Sequence, residues 1–411
     1  MDYSKGKIGP SSPRPPVCDI LSIRMKRKTG TLLTIALLGA GLVAGRANAL
    51  PPGLARDAET GISQLYRLEF DAAMATFERM KKDYPGHPAP ATLEAAGLWW
   101  RSRYSFDDPT RESSKAVAAN VKEAVALGRI MAKNPALECE ANLFIGGALG
   151  VGAHWELLEG SWFSAAMDAR AAVHTLRPLL SCSEYADEAC FGLAMYEFAA
   201  TNLPWHLRWI SSVLIGDMNN RERSLERFAR AAIGGKFLRS DAQGSLVVAY
   251  TYYVLNPEKA AYWSAMMVKE RPDSPMAAGL RMQSLAFIHD FDGTLALADK
   301  WLEKVGQAGI ESAAFHYWRG IALLGQKRPL EAERAFTASL AGQGRPVWKA
   351  AALLKRGCAK DIQGSRTEAL LDYRALKKAN DPWLEADRAA IYLSRSFTWE
   401  DFPREISPRG F

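Results

Sequence analysis

The sequence predicts an all-α solenoid of about eight antiparallel helix pairs, and three observations predict it. From Leu50 onward Ala, Leu, Glu, Arg and Met recur with a helical period that Pro and Gly interrupt, and no sustained apolar/polar alternation competes with it. One template of a small residue, an Ala and an aromatic recurs along the chain at fixed spacing. Finally, 411 residues exceed what one compact core usually holds, whereas a stacked array of that length is ordinary.

The first 49 residues stand apart. Residues 1–24, rich in Pro and Ser, precede Met25 and read as an upstream extension. Residues 25–49 carry Lys26, Arg27 and Lys28, then "TLLTIALLGAGLVAG", then "RANA" with Ala47 and Ala49, which is the layout of a cleaved secretory signal. Its apolar run is about 15 residues, against roughly 20 for a membrane span. A periplasmic or secreted chain starting near Leu50 is therefore expected. This leader holds eight Lys or Arg and only Asp2 and Asp19, leaving 44 basic and 43 acidic residues behind it. The net charge of +7 thus resides mostly in the leader. Nucleic-acid binding, which needs a surviving basic stripe, is not expected.

The first pair is written in "GISQLYRLEFDAAMATFERMKKDYP", with Gly61, Ala73, Phe77 and a closing Pro85. Central glycines at 97, 146 and 192 mark the next first helices, and Ser224, Phe228 and Ala231 a second helix. Ala260 and Pro272 repeat the register, and Thr294 falls 34 residues after Ala260. The template is clear again at Gly320, Ala332 and Phe336, and at Gly357, Ala369 and Tyr373, each position shifted by 37. The spacing has a physical cause: two helices approach closely only where a small side chain faces the partner, and an aromatic one turn on fills the gap. Intervals of 36, 49 and 46 between Gly61, Gly97, Gly146 and Gly192 place insertions between about 100 and 220. The expected division is 50–220 for degenerate repeats with insertions, 221–395 for regular repeats, and 396–411 for a flexible tail.

This template resembles the tetratricopeptide repeat. "LPWHLRW", "NRERSLERFARAA" and "GGKF" together are similar to a segment of bacterial repeat proteins distantly related to repeat proteins of the mitochondrial outer membrane. The resemblance implies a right-handed superhelix whose first helices line a concave groove, and a groove of that kind takes an extended peptide or a partner helix. It implies no chemistry, because the motif is structural and shared by proteins with unrelated roles. Candidate groove residues are Trp99, Arg103, Tyr196, Arg208, Tyr252, Tyr317 and Arg319; the arginines would clamp carboxylates or stack on rings.

The stretch "LPWHLRWISSVLIG" (203–216) places Trp205, Trp209 and Val213 side by side on a helix, and it is too short to span a bilayer. Packing within the solenoid, an interfacial segment giving peripheral membrane association, and an exposed docking patch all fit it. Four cysteines follow the leader, and Cys182 and Cys190 lie close enough to bridge, with Cys139 as a competing partner. No C-x-x-C, Walker A, G-x-S-x-G or H-E-x-x-H occurs, and "GGALGVGAHWE" has Trp155 where a dinucleotide fingerprint needs Gly. His154 with Glu156 and Glu159 is the only local acid/base grouping. The expected function is accordingly a non-enzymatic scaffold in the cell envelope that needs no cofactor and binds a protein or peptide. The alternatives are a lipid or small-molecule carrier using residues 150–216, and an enzyme with an unrecognised site.

Overall fold

The computed structural model of the chain describes residues 50–104, 111–202, 220–304, 311–376 and 385–407, and these are helical throughout, with no strand among them. The stretch 203–216, including Arg208, lies outside the described residues. Successive helices form antiparallel pairs: α1 (Pro52–Tyr66) with α2 (Phe70–Asp83), α3 (Ala89–Tyr104) with α4 (Arg111–Met131), α5 (Glu138–Leu158) with α6 (Trp162–Leu176), and α7 (Ala186–Asn202) with α8 (Arg221–Gly234). The next pair is α9 (Arg239–Val248), extended by a π turn over Ala249–Tyr253, with α10 (Pro257–Glu270). Then come α11 (Pro275–Phe287) with α12 (Phe291–Leu302), α13 (Ser312–Gly325) with α14 (Pro329–Ala341), and α15 (Pro346–Ile362) with α16 (Arg366–Leu376). A last helix α17 (Glu385–Ser394) covers the end, and a short α18 (Phe402–Glu405) follows it. No described helix is long and apolar enough to cross a membrane.

The glycines of the template sit where the spacing predicts. A Cβ added at Gly320 would stand 2.5 Å from the Phe336 ring, and Gly61 and Gly357 face Phe77 and Tyr373 in the same way. Leu176 of α6 wedges between two first helices, where a Cβ at either Gly146 or Gly192 would meet it at 2.5 Å. The close approach is therefore built on missing side chains. Gly320→Ala is expected to lower stability by about 1–3 kcal/mol through overpacking, read as a lower urea midpoint at unchanged slope.

The turns between paired helices repeat as well. Leu68, Gly160, Leu255, His289, Lys327 and Gly364 all have positive φ, from 56° to 78°. In most of these turns an amide beyond the turn residue reaches back to a helix carbonyl: Glu69 to Gln64, Ser161 to Glu156, Asp290 to Leu285, Arg328 to Leu323 and Ser365 to Lys360. That is the helix-ending motif that favours a left-handed residue after the cap. Four of the six are not glycine, although a side chain there is disfavoured by roughly 1–2 kcal/mol.

Two buried carboxylates fasten α7 to its successors. Glu197 is fully buried and accepts from Arg223 at 2.5 Å and Arg227 at 2.6 Å of α8. Glu188 accepts the backbone N–H groups of Phe237 at 2.8 Å and Leu238 at 3.1 Å, and of Lys236, ordering the turn before α9.

The disulfide joins Cys139 to Cys182, with Cα atoms 6.4 Å apart, which corrects the expected Cys182–Cys190 pairing in favour of its competitor. Cys190 lies within α7, on the face packed against Phe228 and Ala231 of α8, and is a buried free thiol whose pKa burial raises. Cys182 instead precedes α7 beside the start of α5, where Cys139 sits. Proximity in sequence loses here to the direction in which helix α7 turns the Cys190 side chain.

The stack also closes on itself. Arg271, after α10, pairs with Glu59 of α1 at 2.6 Å and lies over the Tyr66 ring, 5.0 Å from its centroid. Arg345, ahead of α15, lies 5.6 Å from the Tyr104 ring of α3 while its guanidinium makes two 2.8 Å hydrogen bonds to Glu311, which also accepts from Trp348 Nε1. Met267 and Ala277 share one apolar cluster with Leu54, Ile62 and Phe77. The first two pairs thus touch the fifth, sixth and eighth.

Candidate peptide-binding groove

The groove residues expected from the sequence fall into separate places. Tyr196 and Tyr317 are corrected to core. Tyr317 is fully buried against Phe336 and Trp348, at ring-centroid distances of 6.0 and 5.6 Å. Tyr196 packs with Leu143, Ala153 and Ala169, its hydroxyl buried without a hydrogen-bond partner. Trp99 and Arg103 do come together, the guanidinium 5.9 Å from the ring, with Trp100 and His154 on the other sides of Trp99. Tyr252 is half-buried and accepts from Gln283, and Arg319 reaches sideways to Asp299 of α12 at 2.6 Å. His154 is turned inward: its Nδ1 sits 2.9 Å from the Gly150 carbonyl, and burial, with a smaller contribution from Arg103, lowers its pKa.

What the C-terminal half does hold is its own end. The expected flexible tail is corrected over its described part, because residues 396–407 form a strap that runs back across four repeats. The Phe397 amide donates to Asp361 Oδ2 at 2.8 Å, at the end of α15. Trp399 lies under Lys327 in the α13–α14 turn, with Nζ 3.7 Å from the ring centroid. Phe402 packs on Phe291 at the start of α12, with centroids 6.0 Å apart. Pro403, Ile406 and Ser407 line a cavity of about 230 Å³ with Leu255, Pro257, Phe287 and His289. Three of the four non-glycine turn residues thus lie along the strap, Lys327 on Trp399 and Leu255 and His289 lining the cavity beside Pro403 and Ile406.

The strap is pinned by Glu405. Its carboxylate accepts from Lys355 Nζ of α15 at 2.6 Å and from Tyr392 at 2.7 Å, and also contacts Arg388; its carbonyl accepts from Lys355 at 2.9 Å and Arg388 at 3.1 Å. Lys355 is 1% exposed and Glu405 3%. Burial alone would raise the Glu405 pKa, but Lys355 and Arg388 outweigh it and hold the carboxyl at about 2. A second anchor shapes the turn ahead of α18: Arg395 grips Asp401 with two hydrogen bonds of 2.7 and 2.6 Å, holding that carboxyl well below the usual range.

No protein-family model matches this chain, and no curated protein matches it in sequence. Its site is therefore read from geometry. The strap meets Asp361 through its backbone and Lys327 and Phe291 through aromatic rings, and its Glu405 carboxylate sits between Lys355 and Arg388. Lys355, Arg388 and the strap were missed in the sequence. The available signal was "SFTWEDF", where Phe397, Trp399 and Phe402 fall within six residues, a density at odds with a solvated tail.

Proposed function

We propose that this protein is an exported scaffold of tetratricopeptide-like helix pairs. It would hold an acidic, aromatic-bearing segment of another protein in the groove that its own strap fills. The observation that carries this reading is Glu405 seated between Lys355 and Arg388, because a carboxylate delivered by an extended segment is how such a groove would engage a ligand. The Cys139–Cys182 bridge supports an oxidising compartment, in keeping with the leader read at residues 25–49.

A protease site introduced between Arg395 and Ser396 turns the strap into a detachable ligand. The cleaved protein is expected to retain the 396–411 peptide and, once stripped of it, to rebind a synthetic copy. Glu405→Ala in that peptide should weaken binding at least tenfold. A scrambled peptide keeping only Phe397, Phe402 and Glu405 in place should compete. A stripped protein that stays folded but takes back no peptide would overturn the reading.

A further inference from the structure

A second surface lies away from the groove, at the tip of the α5–α6 hairpin. Leu157 and Leu158 end α5, Trp162 and Phe163 begin α6, and Met167 follows Phe163 by four residues on the same helix face; all five are exposed, Trp162 by 53% and Phe163 by 76%. Other large exposed apolar side chains, such as Ile130, Ile233, Leu330 and Leu371, are scattered over different helices. Scattered residues need no explanation, whereas a contiguous apolar patch marks an interaction site. The turn at the tip is closed by hydrogen bonds. Gly160 has φ +77°, and the amides of Gly160 and Ser161 donate back to Leu157 and Glu156 at 3.2 and 2.8 Å, which fixes the turn that displays the patch.

The rim of the patch identifies what covers it. Glu156 and Glu159 flank Leu157 and Leu158 in the chain, Asp168 follows Met167 on the side of α6 that faces Gly152, and among the described residues none of the three is in an ion pair, Glu159 accepting only from Ser114. Arg170, the next cation along α6, pairs with none of them. Glu156 Oε1 accepts from Ser164 at 2.5 Å, but its Oε2 is buried with no hydrogen-bond partner. Burial raises the pKa of both Glu156 and Asp168, and the other carboxylates raise Glu156 further. Carboxylates with no ion-pair partner among the described residues, two of them partly desolvated, close to exposed apolar side chains are complementary to a segment that brings both apolar side chains and cations. An anionic membrane would instead add like charge.

We propose that the α5–α6 tip is a docking surface for a basic amphipathic segment of a partner protein. The inference goes beyond the groove and stands independently of it, since the strap touches none of these residues.

The test uses the full chain and two synthetic 14-residue helical peptides of the same pattern, one of Leu and Lys, the other of Leu and Glu. The Leu/Lys peptide is expected to bind, with affinity falling as salt rises, and the Leu/Glu peptide not to bind. Trp162→Ser with Phe163→Ser should reduce Leu/Lys binding at least tenfold, and Glu156→Gln with Asp168→Asn severalfold, both without change in the melting temperature. An excess of the synthetic 396–411 peptide, which addresses the groove, should not compete for this binding, so the two readings fail separately. Leu/Lys binding indifferent to the Trp162/Phe163 change would overturn the proposal. So would Trp162-dependent binding to phosphatidylcholine or phosphatidylglycerol vesicles in preference to the peptide, which would assign the tip to lipid. Trp162-dependent dimerisation in sedimentation would overturn it in favour of a second copy of this chain.

Discussion

Glu405→Ala is expected to lower the unfolding free energy by about 3–5 kcal/mol, because it leaves Lys355 buried with no carboxylate to neutralise it. The loss is not that of one surface contact. Glu405 also contacts Arg388 and Tyr392, so removing it loosens two further groups beside the apolar cluster that holds Phe397, Phe402 and Ile406, although Arg388 keeps Glu385 at 3.0 Å. Lys355→Ala should be milder, since the remaining carboxylate keeps Arg388 and Tyr392. Replacing the pair together, with Lys355→Met and Glu405→Leu, should recover much of the loss, because an apolar pair of similar volume avoids desolvating two charges. Urea melts of the single and double variants measure the coupling directly. If the double variant is as unstable as Glu405→Ala, the pair is not the source of the effect. The same carboxylate gives a pH signature. Its folded pKa of about 2 lies below the ordinary 4.5, so its contribution is complete above 4.5 and is lost as pH falls toward 2. Glu405→Gln should flatten the acid limb of stability in that window.

Reducing the Cys139–Cys182 bridge is expected to remove about 4 kcal/mol, the loop-entropy value for a closed segment of this length, since the two residues are 43 apart. Urea melts with and without dithiothreitol measure it. In Cys139→Ala with Cys182→Ala the reductant should have no further effect. Non-reducing peptide mapping should link Cys139 to Cys182. A fragment linking Cys182 to Cys190 would contradict the structure at the point where sequence distance first misled.

What was legible in the sequence was local. Gly61 with Phe77, Gly320 with Phe336 and Gly357 with Tyr373 could be read because one contact repeats at a constant offset within each pair. The same offsets, applied more strictly, disqualify two of the groove candidates. Tyr317 precedes Gly320 by three and Tyr196 follows Gly192 by four, so each shares a helix face with the glycine that marks close packing. The closure and the strap left no such trace. Arg345 on Tyr104 and Glu405 on Lys355 join residues 241 and 50 apart, and no period connects them. These contacts depend on how distant pairs come together rather than on an offset within one pair. The hairpin tip was partly visible, since the carrier reading singled out residues 150–216 for their aromatics. Sequence alone did not separate buried Trp155, whose Nε1 donates to Ser114 at 3.1 Å, from exposed Trp162.

A linear stack of repeats has two loose ends, and its stability is a sum over neighbours, so such arrays fray inward from their termini. Here the first pair is tied to the fifth and sixth through Glu59 and Arg271, and the last helices are tied back across four repeats through the strap. With both ends sewn to the middle, the chain behaves less like a string of independent beads than like a loop. Melting one repeat strains contacts far along the sequence, and the described body should come apart in one concerted step.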